Sequence, residues 1–266
     1  MGPIGRYVLL CLLPLGFAGL ARADGEIEAI TEELAPYNMT EHGKVTGVST
    51  EIVRAVMKEA GMEAPIQVLP WARAYDRALS LPNVLIYSIV RTPERENLFE
   101  WVGTIAPMKW YLFSLAERPL HLNSLEDARG HQIATVNMDV GQRFLISHGF
   151  KPGVELQSTN RYETNYQMLK VDHVELWISN ELNAQYLTRR NGDDPDKELV
   201  RSLALPELDH EGGINMAFSK GTSASIVDRF RQGLATIKAN GTYDAIIRRW
   251  ITVEQKPGTA PSGPSE

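Results

Sequence analysis

Seven consecutive residues, Val84-Leu85-Ile86-Tyr87-Ser88-Ile89-Val90, are apolar but for one serine and lie between Pro82-Asn83 and Thr92-Pro93. The run is too short for a helix, rich in β-branched residues and shows no polar alternation. A strand of this kind is buried on both faces, as in a parallel sheet covered by helices on each side. The feature therefore calls for an α/β fold, and neighbouring segments must supply the helices.

They do. Ser49 is a candidate N-cap for a helix with Ile52, Val53, Val56 and Met57 on one face and Gly61 as its stop. Ile66 to Leu69 reads as a strand, and Pro70 opens a helix with Trp71, Tyr75, Ala78 and Leu79 inward. Trp110 to Leu115 is a further strand. After Pro119 a second set of alternations begins. Gln132 to Val136 is a strand, Asp139 caps a helix ending near His148-Gly149, and Asn160 caps one running through Leu169. Val174 to Ile178 is a strand, Asn180 caps a helix through Arg190, and Ile214 to Phe218 is the last strand. Two helices follow, broken at Asn240-Gly241. The pattern predicts two α/β lobes with parallel sheets. In such sheets ligands bind beyond the carboxyl ends of the strands, so the residues just after the apolar strands hold the candidate site.

The N-terminus has another character. Arg6 precedes an apolar run from Tyr7 to Leu20, and Ala21-Arg22-Ala23 places small residues at the −3 and −1 positions before Asp24. This reads as a secretory signal peptide over residues 1–23; a spanning helix needs about 20 apolar residues. Its removal takes away the single cysteine, Cys11, together with Arg6 and Arg22, and moves the net charge from −6 to −8. A cysteine-free, exported, acidic protein has no internal disulfide and no thiolate metal site. It also lacks the basic excess of a general nucleic-acid binder. Residues 255–266, rich in Pro, Gly and Ser, read as a disordered tail.

Three places could carry chemistry. The first is Ser88 to Arg95. Thr92 is a candidate N-cap with Pro93 at the first helical position, a helix N-terminus favours an anion, and Arg95 can hold a carboxylate in two parallel hydrogen bonds. The alternative is a capped helix whose Arg95 pairs with Glu96 or Glu100, and the residues alone do not decide between them. The second is aromatic: Tyr37 on a loop, Trp71 and Tyr75 at a helix start, with Arg73 as a second positive charge or a solvated side chain. The third is the pair Asp139 and Asn180, which are N-caps first and cleft residues by virtue of sharing the strand-end edge. The six histidines show no zinc spacing. No Gly-x-Ser-x-Gly elbow and no phosphate-binding glycine loop is present, so no cofactor and no metal is expected.

Taken in order, Ala35-Pro36-Tyr37-Asn38, Gly43-Lys44-Val45-Thr46-Gly47, Pro70-Trp71, Thr92-Pro93-Glu94-Arg95 with Phe99-Glu100-Trp101, and Asn240-Gly241-Thr242-Tyr243-Asp244-Ala245-Ile246 through Trp250 resemble the bacterial extracellular solute-binding proteins of family 3, the periplasmic receptors of polar amino-acid ABC transporters. The resemblance spans nearly the whole chain after residue 23. It implies a periplasmic-binding-protein-like α/β fold: two lobes, a two-strand hinge near Tyr111–Ala116 and Gly213–Ser219, and a ligand cleft between the lobes. Lobe 1 would comprise residues 24–115 and 213–254, and lobe 2 residues 116–212. The resemblance gives Arg95 the ligand carboxylate, with help from Ser88, and makes Tyr37 and Trp71 aromatic walls. The candidate ligand-binding set is Tyr37, Trp71, Arg73, Ser88, Val90, Arg95, Asp139, Val140 and Asn180.

The sequence departs from the family at three points. Asn180 stands where the family often has an aspartate for the ligand ammonium. Met138-Asp139-Val140 replaces a Gly-Ser/Thr-Thr run, so Asp139 is a candidate substitute for that charge. Pro82-Asn83-Val84 replaces a Gly-x-x-Asp turn. The expected function is capture of a small carboxylate-bearing solute, such as an amino acid, by a periplasmic, monomeric, non-enzymatic protein partnered with an ABC permease. Two other readings remain. One is an enzyme similar to the cyclohexadienyl dehydratases, with Glu175, Asp139 or Glu181 as general acid. The other is a ligand-sensing module for a membrane receptor.

Overall fold

The computed structural model describes residues 26–209 and 213–254. The proposed signal peptide and C-terminal tail lie outside the described residues. In chain order the elements are β1 (Glu28–Thr31), β2 (Met39–Glu41), β3 (Lys44–Thr46), α1 (Val48–Glu59), β4 (Ile66–Val68), α2 (Trp71–Ser80), β5 (Val84–Val90), β6 (Phe99–Ala106) and β7 (Trp110–Leu115). There follow β8 (Ile133–Val136), α3 (Val140–Ser147), β9 (Leu156–Thr159), α4 (Tyr162–Lys170), β10 (Leu176–Asn180), α5 (Glu181–Arg190), α6 (Pro195–Glu198) and β11 (Leu199–Ala204). The chain closes with β12 (Ile214–Ser219), α7 (Ala224–Ala239) and α8 (Thr242–Glu254).

Two five-stranded sheets form the two lobes, in the orders β4-β1-β5-β12-β6 and β11-β7-β10-β8-β9. All seven residues of β5 are buried, as the apolar run requires. Neither sheet is wholly parallel, contrary to expectation. In the first lobe β12 runs antiparallel to both β5 and β6; in the second, β7 runs antiparallel to β10 and β11. The cause is the connection between lobes. β6 ends in one sheet and β7 starts in the other, so the chain crosses at residues 107–109, and it returns between β11 and β12.

This corrects the expected boundary at 115. β7 hydrogen-bonds with β10 and β11 and so belongs to the second lobe, and the first crossing falls before it. Likewise Gly213–Ser219 is mostly a strand interior to the first sheet, and the return crossing precedes it. The two crossings lie side by side: the Leu205 amide donates to the Trp110 carbonyl at 2.9 Å, and a Cβ at Gly213 would stand 1.9 Å from the Ala106 carbonyl oxygen. Only glycine permits that approach.

β6 and β11 were not apparent in the sequence. Each is a sheet edge with mixed burial, so neither shows a continuous apolar run. Two caps also differ. α1 starts after Gly47 rather than Ser49, and α4 after Arg161 rather than Asn160. Leu79, expected inward, is 45% exposed.

Candidate functional site

The expected helix at Thr92-Pro93 does not form. The Arg95 amide bonds to the Thr92 carbonyl and the Leu98 amide to the Arg95 carbonyl, a tight 3₁₀ pattern, and β6 begins at Phe99. Six residues between Thr92 and the next strand leave no room for a lasting α-helix, so no helix dipole helps here. What the turn does is fold Arg95 inward. Arg95 is 3% exposed, and its Nη1 donates to the Val90 carbonyl at 3.0 Å. Its Cζ lies 5.4 Å from the Trp71 ring centre and 5.0 Å from that of Tyr75, in cation–π range of both. The surface pairings considered from sequence are taken by others: Glu96 binds Arg91 and Glu100 binds Lys220. Arg95 Nη2 is buried without a hydrogen-bond partner. Burial also lowers the Arg95 pKa from its ordinary value.

Arg95 borders a cavity of ≈ 20 Å³ between the lobes, together with Trp71, Ser88, Val90, Asp139 and Val140 from the sequence-based set. Ser88 reaches it through a β-bulge. The β5–β12 register slips between Asn215 and Met216, and Ser88 takes φ 62°, which turns it out of the ladder. Its hydroxyl donates to Asn38 Oδ1, and Asn38 Nδ2 donates to the Glu32 carbonyl at 2.5 Å. These bonds tie the ends of β1 and β5 together.

Asp139 caps α3. One carboxylate oxygen accepts from the Gln142 amide at 2.7 Å and the other from the Tyr162 hydroxyl at 2.9 Å. Burial raises its pKa to about 6, against the hydrogen bonds that lower it. Trp71, at the start of α2, donates its indole N–H to the Met138 carbonyl at 2.9 Å. This bond joins the lobes directly, and Met138 turns its carbonyl toward it with a φ of 63°. A second interlobe bond runs from Asn183 Nδ2 to the Ala35 carbonyl at 2.7 Å.

Three residues of the set lie elsewhere. Tyr37 is fully buried, but its hydroxyl donates to the Pro107 carbonyl at 2.8 Å. It buttresses the first crossing and borders a separate hinge-side cavity with Lys109, Glu181 and Arg201. Arg73 is exposed and lines none of the cavities described here, because two helical residues past Trp71 turn it away from the cleft. Asn180 is buried as the cap of α5, accepting from the Asn183 amide at 2.9 Å, and does not border the small cavity. Of the three carboxylates weighed as acids, Asp139 alone borders it. Glu175 bonds to the Gln132 amide, and Glu181 pairs with Arg201.

The sequence reading missed Glu32 and Tyr162. Glu32 follows β1 directly, so the rule of looking beyond strand ends covers it. In the structure Glu32 is 6% exposed and borders the cavity. Burial, and then the charge of Asp139, pushes its pKa well above the usual carboxylate range, while Arg95 acts in the other direction. The cavity thus sets one guanidinium against two carboxylates, Glu32 from the first lobe and Asp139 from the second. Among the described residues no cluster of His, Cys, Asp and Glu is arranged to hold a metal ion, and no helix is long and apolar enough to cross a membrane.

Known proteins share this architecture. The chain is 22% identical over 235 residues to the arginine-binding extracellular protein ArtP of Bacillus subtilis (strain 168), covering 86% of this chain and 87% of that one. Among solved structures it is similar to a histidine kinase sensor domain with similarity to periplasmic binding proteins, at TM-score 0.74 and 20% identity over 85% of this chain and 96% of that one. It is also similar to the arginine-, lysine-, histidine-binding protein ArtJ from Geobacillus stearothermophilus, at TM-score 0.70 and 18% identity over 86% and 96%. Residues 27–253 match the family described as bacterial extracellular solute-binding proteins, family 3. With a match over that span, the two-lobe fold and an interlobe cavity built around a buried arginine, this chain belongs to the bacterial extracellular solute-binding proteins of family 3.

Proposed function

We propose that the protein captures an amino acid, or a closely related carboxylate bearing an amine, in the cleft between its lobes and presents it for import. The observation that carries this reading is Arg95: a buried guanidinium beside the interlobe cavity, with Nη2 unpaired. A buried donor left unpaired costs free energy unless a ligand supplies the acceptor. A ligand carboxylate supplies it in charge-assisted form. Glu32 and Asp139 supply the opposite charge for an ammonium group, and they come from both lobes, so one zwitterion bridges the cleft. Trp71 then closes over it through Met138. Asp139 takes the ammonium role that Asn180 lacks the charge to perform.

The protein works outside the cytoplasm after cleavage of residues 1–23, as a non-enzymatic monomer serving an ABC permease. The similarity to ArtP supports the import reading. Isothermal titration against a panel of amino acids and dicarboxylates tests it. Binding of amino acids, with release of the ligand chemically unchanged, is expected. The substitution Arg95→Met is expected to weaken that binding by about 30-fold or more, since a lost buried charge pair is worth roughly 2–5 kcal/mol. Undiminished binding in Arg95→Met, or conversion of the ligand, would overturn the proposal.

A further inference from the structure

The small cavity bordered by Glu32, Arg95 and Asp139 measures ≈ 20 Å³, room for about one water molecule and far less than an amino acid needs. A second space adjoins it. A groove of ≈ 410 Å³ lies between the lobes and shares Arg95 and Val140 with the small cavity as a common wall. Its volume is that of an ordinary small-molecule site. The two spaces differ in chemistry. The inner one has two buried carboxylates. The outer one sets the apolar side chains Leu98, Phe144 and Leu208, with the ring of Tyr75 at the side of Arg95, among the polar Thr92, Ser147 and His148. Leu98 is 38% exposed and Phe144 partly so, although both are large apolar side chains. The charged groups of the groove, Glu94, Arg143 and Glu207, are of mixed sign and do not select an ionic tail. Arg143 donates to the Met138 carbonyl at 3.2 Å and lies over the Tyr75 ring at 5.2 Å.

We propose that the ligand is an α-amino acid with a large, predominantly apolar side chain, and that the outer groove holds that side chain. This rests on the reading of the cleft as an amino-acid site. The amine enters the inner cavity between Glu32 and Asp139, and the carboxylate sits at the divide on the unpaired Nη2 of Arg95. From Arg95, which the outer groove shares with the inner cavity, the side chain enters that groove, against Leu98, Phe144 and Leu208; the hinge-side space of ≈ 390 Å³ shares Met108 alone with the inner cavity. A small amino acid makes the same polar contacts and leaves the groove unfilled.

Calorimetric titration of phenylalanine, tryptophan, alanine and glycine into the full chain tests the assignment, with Leu98→Asp and Phe144→Ala as variants. Both positions retain solvent exposure, and circular dichroism checks that the variants fold. Phenylalanine or tryptophan is expected to bind at least about tenfold more tightly than alanine, since even one methylene in a fitted pocket is worth roughly tenfold or more. Each variant is expected to remove about tenfold of that advantage and to leave alanine within about twofold. Alanine binding as tightly as phenylalanine, or phenylalanine indifferent to both variants, overturns the groove assignment and leaves the amino-acid site standing. Failure of all four to bind while a polar or charged amino acid of the wider panel binds overturns this inference alone; failure of the whole panel overturns the amino-acid reading and this inference with it.

Discussion

Replacing Asp139 by asparagine should make the ligand-free protein more stable at pH 8 and leave it almost unchanged at pH 4. Asparagine is as good an N-cap as aspartate, so the acceptor for the Gln142 amide survives. What is lost is the charge, and the second oxygen becomes an amide N–H that donates to the Tyr162 hydroxyl instead of accepting from it. Burial raises the Asp139 pKa from 3.8 to about 6, a shift of about 2 units, which corresponds to roughly 3 kcal/mol. Below about pH 3.8 the carboxyl is protonated in folded and unfolded chains alike and contributes no difference. Between that pH and about 6 the folded chain keeps a proton that the unfolded chain has released, so stability falls as pH rises. Above about 6 both are ionised, and the folded chain carries the whole cost. The variant carries none of it. It also relieves Glu32, whose pKa is raised by the Asp139 charge after burial itself. Opening of the lobes hydrates Asp139, so ~3 kcal/mol is a ceiling. Urea unfolding at pH 4 and pH 8 measures the difference. An Asp139→Asn effect that is the same at both pH values, or a variant less stable than the parent at pH 8, would refute the reasoning.

Three other substitutions separate the parts of the cleft. Trp71→Phe keeps the ring beside Arg95 but removes the bond to Met138; a net loss of about 1 kcal/mol should cut ligand affinity about fivefold and shift X-ray scattering toward the open form. Gly213→Ala drives a Cβ into the Ala106 carbonyl, and urea unfolding should show a loss of about 3 kcal/mol, the upper end for overpacking. Arg73→Ala removes an exposed charge outside the cleft lining, so titration should find affinity within about twofold of the parent, a change typical of a surface position.

The sequence made legible those parts of the fold that repeat a local rule. β5 is readable because every residue in it is buried. The caps Asp139 and Asn180 are readable because a strand-end Asp or Asn before a helix has one dominant use. β6 and β11 were hidden because an edge strand is half-solvated and mixes its residue types. The first crossing was misplaced by several residues because a strand's membership in one sheet or the other depends on its partners, which are distant in sequence. Arg95 could be singled out but not placed: whether a guanidinium pairs with Glu96 or turns inward depends on whether six residues make a helix or a 3₁₀ turn.

Asn180 and Asp139 together show what the carried-over motif leaves out. Asn180 keeps the cap and loses the charge, and its Nδ2 is buried without a partner. A buried carboxylate stands nearby at Asp139, and a second, Glu32, in the other lobe. One guanidinium does not balance both when they are ionised, so bringing the lobes together concentrates negative charge around the cavity. Burial raises the pKa of each carboxylate, and at Glu32 the charge of Asp139 adds to it. An arrangement that destabilises the closed protein in this way has no structural use, since hydrophobic residues of similar size would pack there at lower cost. It has a use in a receptor. A ligand ammonium placed between Glu32 and Asp139 removes the repulsion at the moment of closure, so the same groups that oppose closure without ligand favour it with ligand. Affinity should therefore rise with pH through about 6 as Asp139 gives up its proton, and in Asp139→Asn the part of that rise due to this residue should vanish.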